Sequence, residues 1–415
     1  MSKRILADWL EAFLFAFERK ESPTIFKKWT AISVIAAALQ RKVYFEWEKR
    51  VFPNFYIVLV GSPATRKNTI IEPGESLLRT LGITLTADKI TCEALIIELK
   101  EALAIIPGEF ETFQEHASVT AICKELSIFL RHDDMTFTSA LTAWFDSPDV
   151  WKYKTKNQGS DELSYVFFNL LGATTPQLIK NSFSMDTVGG GLTSRFIFVY
   201  GKEKSCLDPL PMIGDQRNEL KKDLLHDLGI INTLVGEFKP TQQYLETYLD
   251  WYVEQSKSPA LKDPIFEYYN ERRSVHIRKL SMIVSASRSS SLILNESDFL
   301  DAKALLEECE LDMPKVFGSY GRGEYAEILP SVMAVIQRSG EIRYNDLFAM
   351  FYRDLKEPEL KEILLALVSM GWIDMEDKKE GLRSVPIIRK AKDYGRAKTS
   401  DSSLPQEPGI PPLQM

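Results

Sequence analysis

Lys67 and Thr69 stand just beyond Gly61, at the end of the string Tyr56-Ile-Val-Leu-Val-Gly61-Ser-Pro-Ala64-Thr65-Arg66-Lys67-Asn68-Thr69. An apolar run that ends in glycine and passes through lysine into a helix start suits polyphosphate. Successive backbone N–H groups and one ammonium then converge on the charge at the helix N-terminus. On that expectation Gly61, Ala64, Thr65, Arg66, Lys67, Asn68 and Thr69 surround the phosphates of ATP, with Thr69 beside the accompanying Mg2+. The full signature has glycine where Arg66 stands and a hydroxyl where Asn68 stands. The plainer alternative is a core strand that enters an ordinary surface turn.

Hydrolysis of a nucleotide needs a carboxylate to orient water, a polar group at the γ-phosphate and a cation for the transition state. Glu125 follows the apolar stretch Ser118–Cys123 and is the candidate carboxylate, close to Mg2+; otherwise it caps the next helix. Lys124 stands where an aspartate is usual in such motifs. Thr174 lies after Tyr165–Leu171 in Leu-Leu-Gly-Ala-Thr-Thr-Pro, where a γ-phosphate sensor belongs, while Thr175 can cap a helix before Pro176. Arg195 follows Gly189, Gly190 and Gly191 and opens a strand. A permanently charged, planar guanidinium there suits an arginine finger that reaches a neighbouring subunit, or else a salt bridge.

Two further groups are basic. In Trp151-Lys152-Tyr153-Lys154-Thr155-Lys156, strand alternation sets Lys152, Lys154 and Lys156 on one face and the aromatics on the other. That face suits the phosphates of single-stranded DNA, or serves as a charged edge that discourages aggregation. In Tyr268–Leu280, Arg272, His276 and Lys279 share a helix face with Arg273 beside it. Arg273 is the candidate second sensor on the nucleotide; the alternative is a solvated basic face.

The elements that must position these residues follow from pattern. Residues 5–40 carry two helical stripes parted by Ser22-Pro23. Strands are expected at 42–47, 56–60, 117–123, 150–156, 163–171 and 196–200, with helices at about 69–81, 91–105 and 135–145. Strands that alternate with helices imply an α/β protein with a parallel sheet and ligands at the strand C-termini. The division expected is 1–45 N-terminal helices, 46–205 α/β core, 206–320 helical lid, 325–392 a winged-helix-like domain and 393–415 a disordered tail. The chain has 415 residues and net charge −7, which excludes indiscriminate coating of nucleic acid but not a localised basic channel. No apolar run is long enough to span a bilayer and no signal-peptide core is present, so no membrane partner is expected. Four scattered cysteines point to reduced thiols in a cytoplasmic protein.

In this order the motifs resemble the helicase-like P-loop ATPases of phages, plasmids and other mobile elements, related to superfamily 3 helicases and the AAA+ class. The resemblance covers roughly residues 5–310. It is carried by Phe26-Lys27-Lys28-Trp29, Phe52-Pro53-Asn54, Arg66-Lys67-x-Thr69, Lys124-Glu125-Leu126, Leu170–Pro176, Gly189–Phe196 and Arg272-x-x-x-His276-x-x-Lys279-Leu280. It implies a P-loop NTPase core acting as an ATP-dependent, DNA-translocating ring, most often a hexamer, in the host cytoplasm. No primase domain fits, because the first helices run almost directly into the core; a primase or replication initiator is an expected partner. Lys124 and Asn68 depart from the family pattern. They keep open an alternative, a weakly hydrolysing or non-hydrolysing replication or partition factor that retains the fold.

Overall fold

Tyr56–Val60 has no charged side chain and is buried throughout, as a strand covered on both faces requires. Around it the computed structural model describes residues 3–107, 113–131, 133–155, 159–183, 190–208, 215–317, 328–353, 355–369, 371–380 and 383–391. Helices α1 (Trp9–Ala16) and α2 (Thr24–Leu39) come first, then strands β1 (Val43–Tyr44) and β2 (Tyr56–Val60), and helices α3 (Lys67–Thr80) and α4 (Cys92–Glu101). Strands β3 (Leu103–Pro107) and β4 (Phe113–Cys123), the short helix α5 (Leu126–Phe129) and α6 (Met135–Trp144) precede the hairpin β5 (Val150–Thr155) and β6 (Gly159–Ser164). Strand β7 (Val166–Thr174), the turn α7 (Ile179–Ser182) and β8 (Phe196–Tyr200) complete the sheet.

The chain is mixed α/β. Its main sheet has the order β3-β4-β7-β2-β8. β4, β7, β2 and β8 are parallel, whereas β3 runs antiparallel along β4. The wholly parallel sheet expected from the sequence is therefore corrected at one edge. The pattern placed a helix over 91–105; α4 ends at Glu101 and Leu103–Pro107 is a strand. Its apolar residues satisfy either period, and pairing with β4 decides the matter. Likewise 163–171 is not one strand. Tyr165 adopts φ 55°, and this left-handed residue parts the hairpin from β7.

Helix α2 lies on β2, β7 and β8, and α3 packs on α2 closely enough that a Cβ on Gly74 would sit 2.9 Å from Val34. Helices α5 and α6 pack against β7. After β8 come α8 (Asp215–Asn232), β9 (Gly236–Glu237), β10 (Lys239–Pro240), α9 (Gln242–Lys257), α10 (Glu267–Arg288), β11 (Ile293–Leu294) and α11 (Glu296–Glu310). β9 pairs with β1, and β11 with β10. Helix α1 packs on α2, α8 and α10, and α10 on α2 and α11. Residues 1–318 thus form one compact unit that takes in the N-terminal helices, the sheet and the later helices together.

A second unit follows. It comprises α12 (Leu329–Ser339), β12 (Glu341–Arg343), α13 (Tyr344–Phe351), α14 (Glu357–Ser369), β13 (Ile373–Glu380) and β14 (Arg383–Lys390). Its antiparallel sheet has the order β12-β14-β13. The core of this unit is built from Val332, Ile336, Leu347, Leu360, Leu367 and Ile388. The expected tail, 393–415, lies outside the described residues.

Candidate phosphate site and the opposite sheet edge

Three parallel strands end level with one another, because Val60 pairs with Thr174 of β7 and with Tyr200 of β8. The Gly61 N–H donates to the Thr174 carbonyl at 3.3 Å, and the Gly201 N–H to the Val60 carbonyl at 2.9 Å. A Cβ on Gly61 would lie 2.5 Å from the Gly201 carbonyl oxygen and 2.7 Å from Thr65 Oγ1, so only glycine passes here. Residues Pro63–Thr65 make one tight turn, in which the buried Thr65 hydroxyl donates to the Ser62 carbonyl at 2.7 Å.

Arg66 then takes φ 54° and ψ 38°, and α3 starts at Lys67. This left-handed conformation costs an L-residue about 1–2 kcal/mol, and it falls where the phosphate-loop signature has glycine. An arginine thus holds a conformation that glycine adopts more readily. It is braced by the Ser22 hydroxyl, which donates to the Arg66 carbonyl at 2.6 Å, and by an ion pair with Glu21 at 3.2 Å. Ala64 and Asn68 are exposed and Thr69 is half-buried in the first turn of α3. The Lys67 ammonium folds back over the loop, donating to the carbonyls of Gly61 (2.7 Å) and Ser62 (3.0 Å). Burial lowers its pKa, and the Glu125 carboxylate pulls in the opposite direction.

Register brings the next two groups together. Cys123 of β4 pairs with Gly172 of β7, so Glu125 and Thr174, each two residues further on, come level. The Thr174 hydroxyl donates to Glu125 Oε1 at 3.2 Å, and the Ser127 hydroxyl donates to the same oxygen at 3.1 Å. Glu125 also caps α5, as the plainer of its two expected roles requires. Lys124 pairs with Glu75 of α3 at 3.4 Å, and Thr175 caps the turn after β7. An ammonium, a helix N-terminus, one carboxylate and a buried hydroxyl therefore gather at the C-terminal ends of β2, β4 and β7. In open α/β sheets ligands occupy that crevice. Among the described residues no group of three or more His, Cys, Asp or Glu could hold a metal ion. Mg2+ carried on phosphates needs no such group, since one or two protein oxygens suffice.

Arg195 is at the other edge. It precedes β8, level with the start of β2, about 20 Å from Gly201 at ~3.3 Å per residue. Its guanidinium is buried, bonded to the Gly191 carbonyl and paired with Asp146 at 3.0 Å. Helix α10 runs along this same edge. Arg272 donates to the Ser194 hydroxyl at 3.1 Å, and His276 Nε2 lies 3.2 Å from the Ser194 carbonyl. Lys279 donates to the Asn54 carbonyl (3.0 Å) and side-chain oxygen (2.6 Å). Burial takes the His276 pKa down to about 3 and that of Lys279 to about 7. The basic face of α10 is thus largely buried; His276 and Lys279 clamp the helix to the N-terminal ends of β2 and β8. Arg272 remains half-exposed, 3.7 Å from Asp146. Arg273, the expected second sensor, is buried away from the loop in an ion pair with Glu310, its Nε and Nη2 donating at 2.7 and 2.9 Å.

The hairpin β5–β6 has the expected alternation. Lys152 and Lys154 are exposed, while Trp151 stacks on Tyr153 at 5.8 Å and meets the buried Trp144 edge-on at 5.2 Å. Lys152 also pairs across the strands with Glu162 at 3.0 Å, so this face is only partly basic. Lys156 and Gly189 lie outside the described residues. Asp146 escaped the sequence reading, because its partners are distant in the chain and nothing local marks it; Asn54 entered only within the string Phe52-Pro53-Asn54, with no role assigned. Among the described residues no helix is long and apolar enough to cross a membrane. No protein-family model matches this chain, and a search of curated proteins returned no match.

Proposed function

We propose that the chain is a P-loop-type ATPase, an ATP-dependent motor on single-stranded DNA that works as a ring, with a hexamer as the expected form. One observation carries this reading. The left-handed Arg66 hands the strand over to α3 at Lys67, while Glu125 and Thr174, joined by a hydrogen bond, stand at the same strand ends. In that role Lys67 and the first N–H groups of α3 bind the β- and γ-phosphates, and Thr69 faces Mg2+. Glu125 orients water and Thr174 reports the γ-phosphate. The sheet separates Arg195 from its own loop, so a role for Arg195 in catalysis requires a neighbouring copy. Single-stranded DNA engages the lysines of the β5–β6 hairpin.

A second reading rests on Lys124. A cation tied to Glu75 occupies the place where an acid would support Mg2+, which favours a nucleotide-binding replication or partition factor with little turnover. ATP binding and turnover, with and without single-stranded DNA, separate the two. Wild type that binds ATP and is stimulated by DNA, beside a Lys67→Ala protein that binds at least a hundredfold more weakly, supports the motor. Binding without turnover supports the second reading, and equal ATP affinity for both proteins sinks both.

A further inference from the structure

Between β1 and β2 the chain closes on itself. Phe45 and Val51 exchange backbone hydrogen bonds at 2.9 and 3.0 Å, which leaves Glu46–Arg50 as an exposed turn. Trp47 of this turn meets Phe45 edge-on at 5.7 Å and Tyr248 of α9 edge-on at 5.3 Å, yet stays 38% exposed. Between the turn and α10 lies a cavity of about 370 Å³, bordered by Trp47, Lys49, Phe52, Phe145, Arg278 and Lys279 among others.

The charge around this cavity is unbalanced. Arg278 is only 8% exposed, with its guanidinium carbon 5.1 Å from the centre of the Trp47 ring. Its Nε donates to the Ser274 carbonyl at 3.0 Å. Among the described residues its two terminal nitrogens have no hydrogen-bond partner, and no carboxylate pairs with it. Charges this deeply buried are ordinarily paired. Lys49 is exposed and also has no acid partner among the described residues. Lys279 gives its protons to the carbonyls of Asn54 and Phe145 and to the Asn54 side chain. The acids at the cavity are Asp146, which Arg195 and Arg272 already share, and Glu48 in the exposed turn. Burial lowers the Lys279 pKa, Asp146 opposes, and Arg272, Arg195 and Arg278 each push it further down, as a positive field does.

We propose that this cavity binds a nucleoside phosphate at a site separate from the crevice at Lys67, its phosphate on Arg278 and Lys49 and its base against Trp47. The fork of a guanidinium matches phosphate oxygens, and an anion supplies the charge that Arg278 lacks. An indole fixed by two aromatic neighbours and still part-exposed offers a platform for a base. The volume falls within the range of small-molecule sites, roughly 300–1,000 Å³. The same chemistry comes from a free nucleotide or from one link of a single strand, whose candidate hairpin begins at Val150, four residues after Asp146. The inference is independent of nucleotide hydrolysis.

The test uses the full chain carrying Lys67→Ala, so that the crevice at the other end of the sheet does not contribute. Calorimetric titration with thymidine monophosphate, inorganic phosphate and oligothymidylate reads the binding. Arg278→Gln should weaken the nucleotide and the phosphate at least tenfold. Lys49→Ala should weaken both several-fold with an unchanged melting temperature, because this side chain lies in the exposed turn, and it serves where Arg278→Gln fails to fold. Trp47→Leu should weaken the nucleotide at least fivefold and inorganic phosphate much less. Equal affinity for the monophosphate and the oligomer supports a free nucleotide as the source. An oligomer that binds at least tenfold more tightly and loses that affinity with Arg278→Gln supports a link of a strand. Absence of saturable binding, or binding unchanged in folded Arg278→Gln and Lys49→Ala proteins, overturns the inference. Nucleotide binding untouched by Trp47→Leu overturns it in favour of a bare phosphate site. An oligoglutamate peptide that competes as well as the nucleotide overturns it in favour of an acidic protein partner.

Discussion

The two ends of the main sheet are built on opposite principles. At the C-terminal end, Gly61, Lys67, Glu125 and Thr174 gather at the strand ends, linked by bonds from Lys67 to the Gly61 carbonyl and from Thr174 to Glu125. At the N-terminal end, Arg195, Arg272 and Lys279 are absorbed into the packing of α10 against the strands, and Asp146 is the one acid shared by both arginines. On the proposed ATPase reading each end supplies part of what phosphoryl transfer needs, and the strands keep the two parts about 20 Å apart. On that reading a single chain cannot bring Arg195 to a phosphate held beside Lys67. The contrast also bears on the arginine itself. It is held by Asp146 and the Gly191 carbonyl, bonds that a purely structural role would use and that would also orient it on the ring reading.

The largest expected effect breaks the comparison at both ends. Arg195→Ala should bind ATP normally and lose about 10³-fold or more in turnover, the scale of an arginine finger. Glu125→Gln should bind ATP and lose about 10²–10⁴-fold, the scale of general-base assistance. Mixing the two proteins restores interfaces that pair an intact Glu125 with an intact Arg195, so activity should return in part. If subunits exchange and no ratio restores activity, Arg195 is structural and the two ends do not cooperate.

The hairpin is the next discriminator. Lys152→Ala with Lys154→Ala should weaken single-stranded DNA binding several-fold and leave basal ATPase unchanged. Each lost phosphate contact lowers the log–log salt slope by about 0.7. Because Glu162 already neutralises Lys152, most of the change should come from Lys154. An unchanged slope would make the hairpin an edge device braced by Trp144 and Trp151.

What the sequence revealed divides along the same line. The crevice was legible because its residues sit in short local strings: Tyr56–Val60 and Phe196–Tyr200 are strands as read, and Gly61 to Thr69 forms the expected turn into a helix. The opposite end was not, because it is made by contacts between distant residues. The spacing of Arg272, His276 and Lys279 showed that they share a face, but only α10 packing along the sheet edge shows that this face is buried. The edge strand β3 was missed for a similar reason: Leu103–Pro107 becomes a strand through its pairing with β4.

A smaller effect follows from burial at the N-terminal end. Lys279 keeps a pKa of about 7 against an ordinary 10.5, so between those values the unfolded chain holds a proton that the folded chain has released. Stability therefore rises with pH across that window, by up to about 1.4 kcal/mol per unit from this group. His276, at about 3 against 6.5, adds a rise across its own window and loses that stability as pH falls towards 3. Denaturant unfolding at pH 7 and 9 should show the upper rise in wild type and a flatter profile in Lys279→Met. Identical slopes would mean that Lys279 titrates as an exposed lysine.

The smallest effect concerns Arg66 and tests whether the crevice is strained by its own sequence. A left-handed arginine costs about 1–2 kcal/mol. Glycine removes that cost but adds about 0.5–1 kcal/mol through the freer unfolded chain. The ion pair to Glu21 is largely exposed on the arginine side and contributes little. Arg66→Gly should therefore leave stability within about 1 kcal/mol of wild type, on the stabilising side, and preserve ATP affinity. Arg66→Val should destabilise by about 1 kcal/mol or more, because a β-branched residue is least suited to positive φ. Chemical denaturation of the three proteins checks the order glycine, arginine, valine. If valine equals arginine, position 66 does not hold the left-handed turn, and the loop then lacks the feature that links it to a phosphate site.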